Sequence, residues 1–264
     1  MRGGKGRGSK VGALLRAEFC KSRRDLNVAI LPLALLVAVA DSRYIATAQD
    51  GTEYTWPLVV ANTLFVSANY LMPACLTLLL AQSMQRERQS GMLRNLLVLP
   101  VSFRRLAAAK LLAGLALTAV SSIVEFLAAL LLFPLTGIPG LTVGGAAEAA
   151  FSMLFVNLWT NLALLPLLVL VMQFPRGMAA GTVLAFFWGS LGGMLSQHSE
   201  FLYRNPLSAG MALWPWTAES GLYFASAQLP IALTGLAVSV ALGLALLAAA
   251  RDRTPLRGKP GKGR

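Results

Sequence analysis

Six long apolar runs divide the chain, at roughly 26–45, 57–82, 106–133, 149–172, 178–197 and 228–250. Each is close to the ~20 residues that a helix needs to cross a bilayer, some only with tilt. The first run is the weakest. Its clean core, Leu26 to Ala40, is short and contains Pro32, and Asp41 and Arg43 follow where outer headgroups would begin. Two polar stretches also have helical periodicity. Over 10–24, Val11, Leu14, Leu15 and Phe19 recur at helical spacing, while Lys10, Lys21 and Arg24 follow another face. This pattern predicts an amphipathic helix lying on the membrane surface before the first span. Between the second and third runs, 86–98 suits a short helix with Met92, Leu93, Leu96 and Leu97 apolar. Pro100 ends it by removing a backbone donor and biasing Leu99 away from helix. Ser102 is placed to cap the next helix.

The charges fix an orientation for these spans. Of the 23 Lys and Arg residues, all except Arg43 and Arg204 belong to alternate segments, before the first run, after the second (with Lys110 entering the third), after the fourth and after the sixth. By the positive-inside rule these segments are cytoplasmic, so both termini are inside and six spans are required. The outer loops hold Asp50, Glu53, Glu148, Glu200 and Glu219. The chain is 56% hydrophobic and 13% charged, against about a quarter charged in soluble domains, so lipid is much of its solvent. The net charge of +12 would otherwise suggest nucleic acid. Here the basic residues flank apolar runs, where anionic inner-leaflet lipid favours them, and no nucleic-acid partner is expected. The expected organisation is a basic disordered tail over 1–9, one six-span domain over 10–250, and a second such tail over 251–264.

Some polar residues interrupt the runs. Glu125 is the acid within a confident span, and an acid at a helix centre usually faces protein or water. Thr118, Ser121 or Ser122, and Glu125 share a face of the third run; Asn157, Thr160 and Asn161 share a face of the fourth; Asn62 and Asn69 lie seven apart in the second. These residues either line a path for an amphipathic substrate or stitch helices together by hydrogen bonds. Gly177, Gly181, Ala185, Gly189 and Gly193 form a ridge of small residues along the fifth run, which allows close helix approach. The loop over 198–227 is rich in aromatics, including Trp214 and Trp216, and reads as an interfacial belt or an outer gate. Two cysteines, Cys20 and Cys75, and one histidine, His198, offer no metal or disulfide spacing, and no metal or other cofactor is expected. The opening GGKGRGSK lacks the Gly-Lys-Ser/Thr of a phosphate loop.

The segment between the second and third spans carries the most specific signal. Glu87, Ser90-Gly91, Leu93-Arg94, Leu96, Leu99-Pro100-Val101-Ser102 and Lys110 resemble the signature of ABC type-2 transporter permeases. Ala17-Glu18-Phe19, Lys21 and Arg24 before the first span resemble that family's opening. Within the family, length and compact loops are most similar to lantibiotic-immunity and peptide-antibiotic resistance permeases. The resemblance implies an all-α integral membrane fold of six transmembrane helices, with an N-terminal interfacial helix and a short cytoplasmic coupling helix between spans two and three. It implies a plasma-membrane transport subunit that is not itself an enzyme. Its partners would be a pair of ABC ATPase subunits and a second permease subunit, identical or related. Under that resemblance Glu87 and Arg94 make polar contacts to the ATPase, Gly91 permits close backbone approach, Leu96 belongs to the docking helix, and Pro100 gives a rigid exit. Glu125, Asn157, Asn161, Trp214 and Trp216 are the candidates for pathway or gate.

Two other classes compete. A membrane-embedded enzyme needs clustered acids, histidines or a nucleophile–base pair, which one His and one intramembrane Glu do not supply. A secondary transporter often shows paired interrupted helices in two halves, and no repeat relates 1–132 to 133–264.

Overall fold

A computed structural model describes residues 21, 25–48, 51–90, 102–194, 199–212 and 229–251. All regular structure among them is helical. Five helices are long and apolar enough to cross a membrane, and a bent pair makes a sixth span when counted as one.

The first span opens with a 3-10 turn, Leu26–Ala29, and continues as α1, Ile30–Ile45. Asp25 starts it by accepting the backbone N–H of Asn27. Pro32 falls in the first turn of α1, where a missing N–H does little harm. The second span is one rod in three pieces: α2 (Trp56–Val66), a π turn (Ser67–Leu71) and α3 (Met72–Gln89). Pro73 has no N–H to offer the carbonyl of Asn69, and the π turn lies immediately before it. At 34 residues this rod is about 50 Å long, against ~30 Å of hydrocarbon, so part of it stands clear of the bilayer. Residues 86–89 therefore continue the second span, whereas the sequence pattern assigned them to a separate helix. The rest of that expected helix, 90–98, falls outside the described residues except Ser90.

The third span is α4, Phe103–Leu135. Ser102 stands at its N-cap, but the bonds run from the N–H groups of Arg105 and Leu106 to the Ser102 carbonyl, not to its side chain. The fourth span breaks into α5 (Val143–Ala163) and α6 (Leu165–Gln173), with a 49° bend. Pro166 causes the break, since its ring removes the donor that the Leu162 carbonyl needs. The fifth span is α7, Gly177–Met194. Two short helices follow, α8 (Ser199–Arg204) and α9 (Ala209–Ala212), and the last span is α10, Leu229–Ala249. The N-terminal surface helix lies outside the described residues except for Lys21.

The ridge on α7 does what its spacing predicts. A Cβ added at Gly181 would sit 2.2 Å from Val171, and one at Gly189 would sit 2.0 Å from the carbonyl oxygen of Asn69. Ala185 is fully buried. The ridge is thus a packing surface within the subunit, against α3, the π turn and α6. Gly189→Ala should destabilise the protein by about 1–3 kcal/mol through overpacking, because a backbone carbonyl cannot swing aside. Gly144→Ala, with nothing near its Cβ, should lie within about 0.5 kcal/mol of wild type. Thermal unfolding in detergent compares the two.

Candidate functional site

Two polar clusters stand out, one at the basic end of the bundle and one inside it. The basic end gathers the lower turn of α3, the start of α4, the end of α6 and the chain entering the first span. Ser83 and Glu87 are four apart on α3 and so share a face. Lys110 lies two turns into α4, where only 1% of its side chain is exposed. It donates to Ser83 Oγ at 2.7 Å and to Glu87 Oε1 at 2.9 Å. Lys21 donates to the same Oε1 at 2.5 Å. Glu87 is itself only 2% exposed. One carboxylate therefore ties three parts of the chain together, and the three charges leave a net +1.

Around this knot the charges are paired differently. Arg86 donates to Asp25 Oδ2 at 2.6 Å, with both side chains partly exposed. Burial pushes the Asp25 carboxyl up, but hydrogen bonds from Arg86 and from Asn27 outweigh it and hold the group below its usual value. A half-exposed pair of this kind is worth about 0–1 kcal/mol. Arg88 donates to the carbonyl of Met172 at 2.6 Å, placing a cation at the C-terminal end of α6 where the helix dipole favours it. The fourth span is in this way tied to the same lower turn of α3. Among the ion pairs of the described residues, Glu87–Lys110 is the one with both side chains shut away from water, so it resists separation most strongly.

Glu87, expected from the sequence to make polar contacts to the ATPase, is 2% exposed within this single chain. Its carboxylate points into the bundle because α3 runs on past the apolar run, with Ser83 and Glu87 on its inner face. Gly91, Arg94, Leu96 and Pro100 lie outside the described residues.

The second cluster joins the third and fourth spans. Asn157 donates its amide N–H groups to Glu125 Oε2 at 2.7 Å and to Ser122 Oγ at 3.0 Å. Asn161 donates to Thr118 Oγ1 at 2.8 Å, one turn further along both helices. Glu125, Asn157 and Thr118 are fully buried and Asn161 is 4% exposed. The two faces singled out from sequence thus meet each other. Asn62 joins the first and second spans through Ser42 Oγ at 3.1 Å, and Asn69 donates to the Met211 sulfur at 3.3 Å. Each of these side chains stitches elements.

The two short helices are sewn on as well. Trp159 Nε1 donates to the Pro206 carbonyl at 2.7 Å, and Trp188 Nε1 donates to Asn205 Oδ1 at 3.1 Å. Trp214 and Trp216 lie outside the described residues.

Lys21, Lys110 and Asn205 were not proposed as site residues from sequence. A lysine inside an apolar run was the available signal for Lys110, since a buried cation requires a partner. Nothing in the spacing could have named Glu87 as that partner.

The fold and this site define a multi-pass helical membrane protein in which the end of α3 is braced onto α4. The identity follows from comparison: residues 14–192 match the family described as ABC-2 family transporter protein, and the chain belongs to that family. It is an ABC transporter membrane subunit. No curated protein matches the chain.

Proposed function

We propose that the chain is the membrane subunit of an ATP-driven exporter in the plasma membrane. It works with a pair of ABC ATPase subunits and a second permease subunit. Its cargo is an amphipathic peptide antibiotic of the lantibiotic type, a drug or a lipid-like compound. Both termini are cytoplasmic, as the positive-inside partition requires.

The observation that carries this reading is the Glu87–Lys110–Lys21 knot. It stands at the end of α3, from which the chain runs on into 90–101, whose residues carry the coupling-helix signature. In this account Gly91, Arg94 and Leu96 meet the ATPase and Pro100 stiffens the exit. Glu87 acts one step higher. It fixes the root of the lever to α4 and to the chain entering the first span, so a push from below moves all three together. Glu125, Asn157 and Asn161 then serve as a brace that moves spans three and four as one body, with Trp214 and Trp216 at the outer gate.

Affinity purification of the chain from its native membrane in a mild detergent tests the partnership. An ATP-binding subunit should come with it in about equal amount, and Arg94→Ala should weaken the association without affecting insertion. Recovery of the permease with no ATPase, and no ATPase reading frame beside its own, would count against the proposal.

A further inference from the structure

Beside the knot, a cavity of about 260 Å³ opens between the first, second and third spans. Lys21, Asp25 and Lys110 line it at the basic end of the bundle, and Val28, Leu80, Leu117 and Val120 line it further along the spans. Polar groups therefore meet the headgroup level and leucines meet the acyl level, in the order that a lipid presents them.

We propose that this cavity holds one acyl chain of an anionic phospholipid from the inner leaflet, with its phosphate on Lys21. Three observations support that occupant. The cavity's own charges, Lys21 and Lys110 against Asp25, leave one positive charge in excess, and the adjoining Arg86 and Glu87 cancel each other. Lys21 is 42% exposed, so its ammonium reaches the headgroup layer while it holds Glu87. The volume lies below the ~300–1,000 Å³ of sites for drug-sized ligands, so it suits a chain segment rather than a transported peptide. A phosphate drawn to Lys21 also competes with Glu87 for that ammonium. The lipid therefore bears on the same carboxylate that ties the lever to the bundle. The site rests on the proposed orientation but does not require an ATPase.

The full chain in nanodiscs of phosphatidylcholine tests the site. The probe is phosphatidylglycerol or phosphatidylcholine with a photoactivatable diazirine on one acyl chain, and labelled positions are read by mass spectrometry. The phosphatidylglycerol probe should label 117–120 about fivefold more than the phosphatidylcholine probe, as one lysine at an anionic surface implies. Lys21→Gln should abolish that preference. Ala116→Phe, which fills the cavity from its wall, should lower labelling at 117–120 by about tenfold, since methylenes lose their buried place. Labelling at the lipid-facing Leu127 and Leu131 should not change, and serves with the elution profile as the check that the variant is folded. If Ala116→Phe does not fold, Ala113→Leu takes its place. Equal labelling by both probes would overturn the proposal, as would cavity labelling no stronger than at Leu127 and Leu131. Loss of labelling on adding free glycerol phosphate would show a phosphate site rather than a lipid site, and would also overturn it. Failure to find an ATPase would sink the exporter reading and leave this result unaffected.

Discussion

Lys110→Met should be the most damaging single substitution at the basic end of the bundle. It removes the buried partner of a carboxylate that is 2% exposed, and stranding a buried charge costs about 3–5 kcal/mol. Lys21 remains on the same oxygen but is partly in water, so it recovers only part of the loss. The expected result is a sharp fall in folded protein on size exclusion and a lowered unfolding temperature. The double variant Glu87→Leu/Lys110→Met should restore most of the folded yield, because a well-packed apolar pair of similar volume often equals a buried ion pair. If Lys110→Met alone is as stable as wild type, the knot is not closed in the membrane. By contrast, Arg86→Ala should shift stability by no more than about 1 kcal/mol, since its pair with Asp25 is half exposed.

Asn157→Leu is the second large effect expected. One amide supplies N–H donors to both Glu125 and Ser122, so its loss leaves two buried acceptors on the third span. Single hydrogen bonds between membrane helices average ~0.6 and reach ~1.7 kcal/mol, so losing two should cost about 1–3 kcal/mol. A double-mutant cycle of Asn157→Leu with Glu125→Leu should show a coupling of about 0.5–3 kcal/mol, as expected for side chains in contact. Glu125→Gln keeps the shape and an acceptor for Asn157. If Glu125 is a brace, that variant should keep stability and transport. Loss of transport in a stable Glu125→Gln protein would instead assign Glu125 a charge-dependent step.

The spans were largely legible in the sequence because lipid demands long apolar runs, and six such runs mark the six places where helices lie. The ridge on α7 was legible for a related reason: Gly or Ala at every fourth position leaves few packing alternatives. Hydropathy failed where helix and membrane part company. Residues 85–89 are polar but good helix formers, so α3 continues past the apolar run and turns Glu87 inward. The bend at Leu164 hung on one proline inside a run that otherwise reads as continuous. For the polar residues, periodicity gave the faces but not the pairs. That Glu125 shares a face with Ser122 follows from helical geometry; that this face meets Asn157 depends on how two helices rotate against each other, which is set by packing. Glu87 and Lys110 show the same limit, being 23 residues apart on different helices.

The central claim is that movement of the segment below α3 passes into the bundle through Glu87 and Lys110. Spin labels at Thr136→Cys and Leu191→Cys, on the outer ends of α4 and α7, read that movement directly in the purified complex with Cys20 and Cys75 replaced by Ser. Nucleotide should shift the distance between the labels in the otherwise wild-type protein. In Glu87→Leu/Lys110→Met, nucleotide should still bind and be hydrolysed while the distance stays fixed. The same nucleotide-dependent shift in that variant would contradict the account.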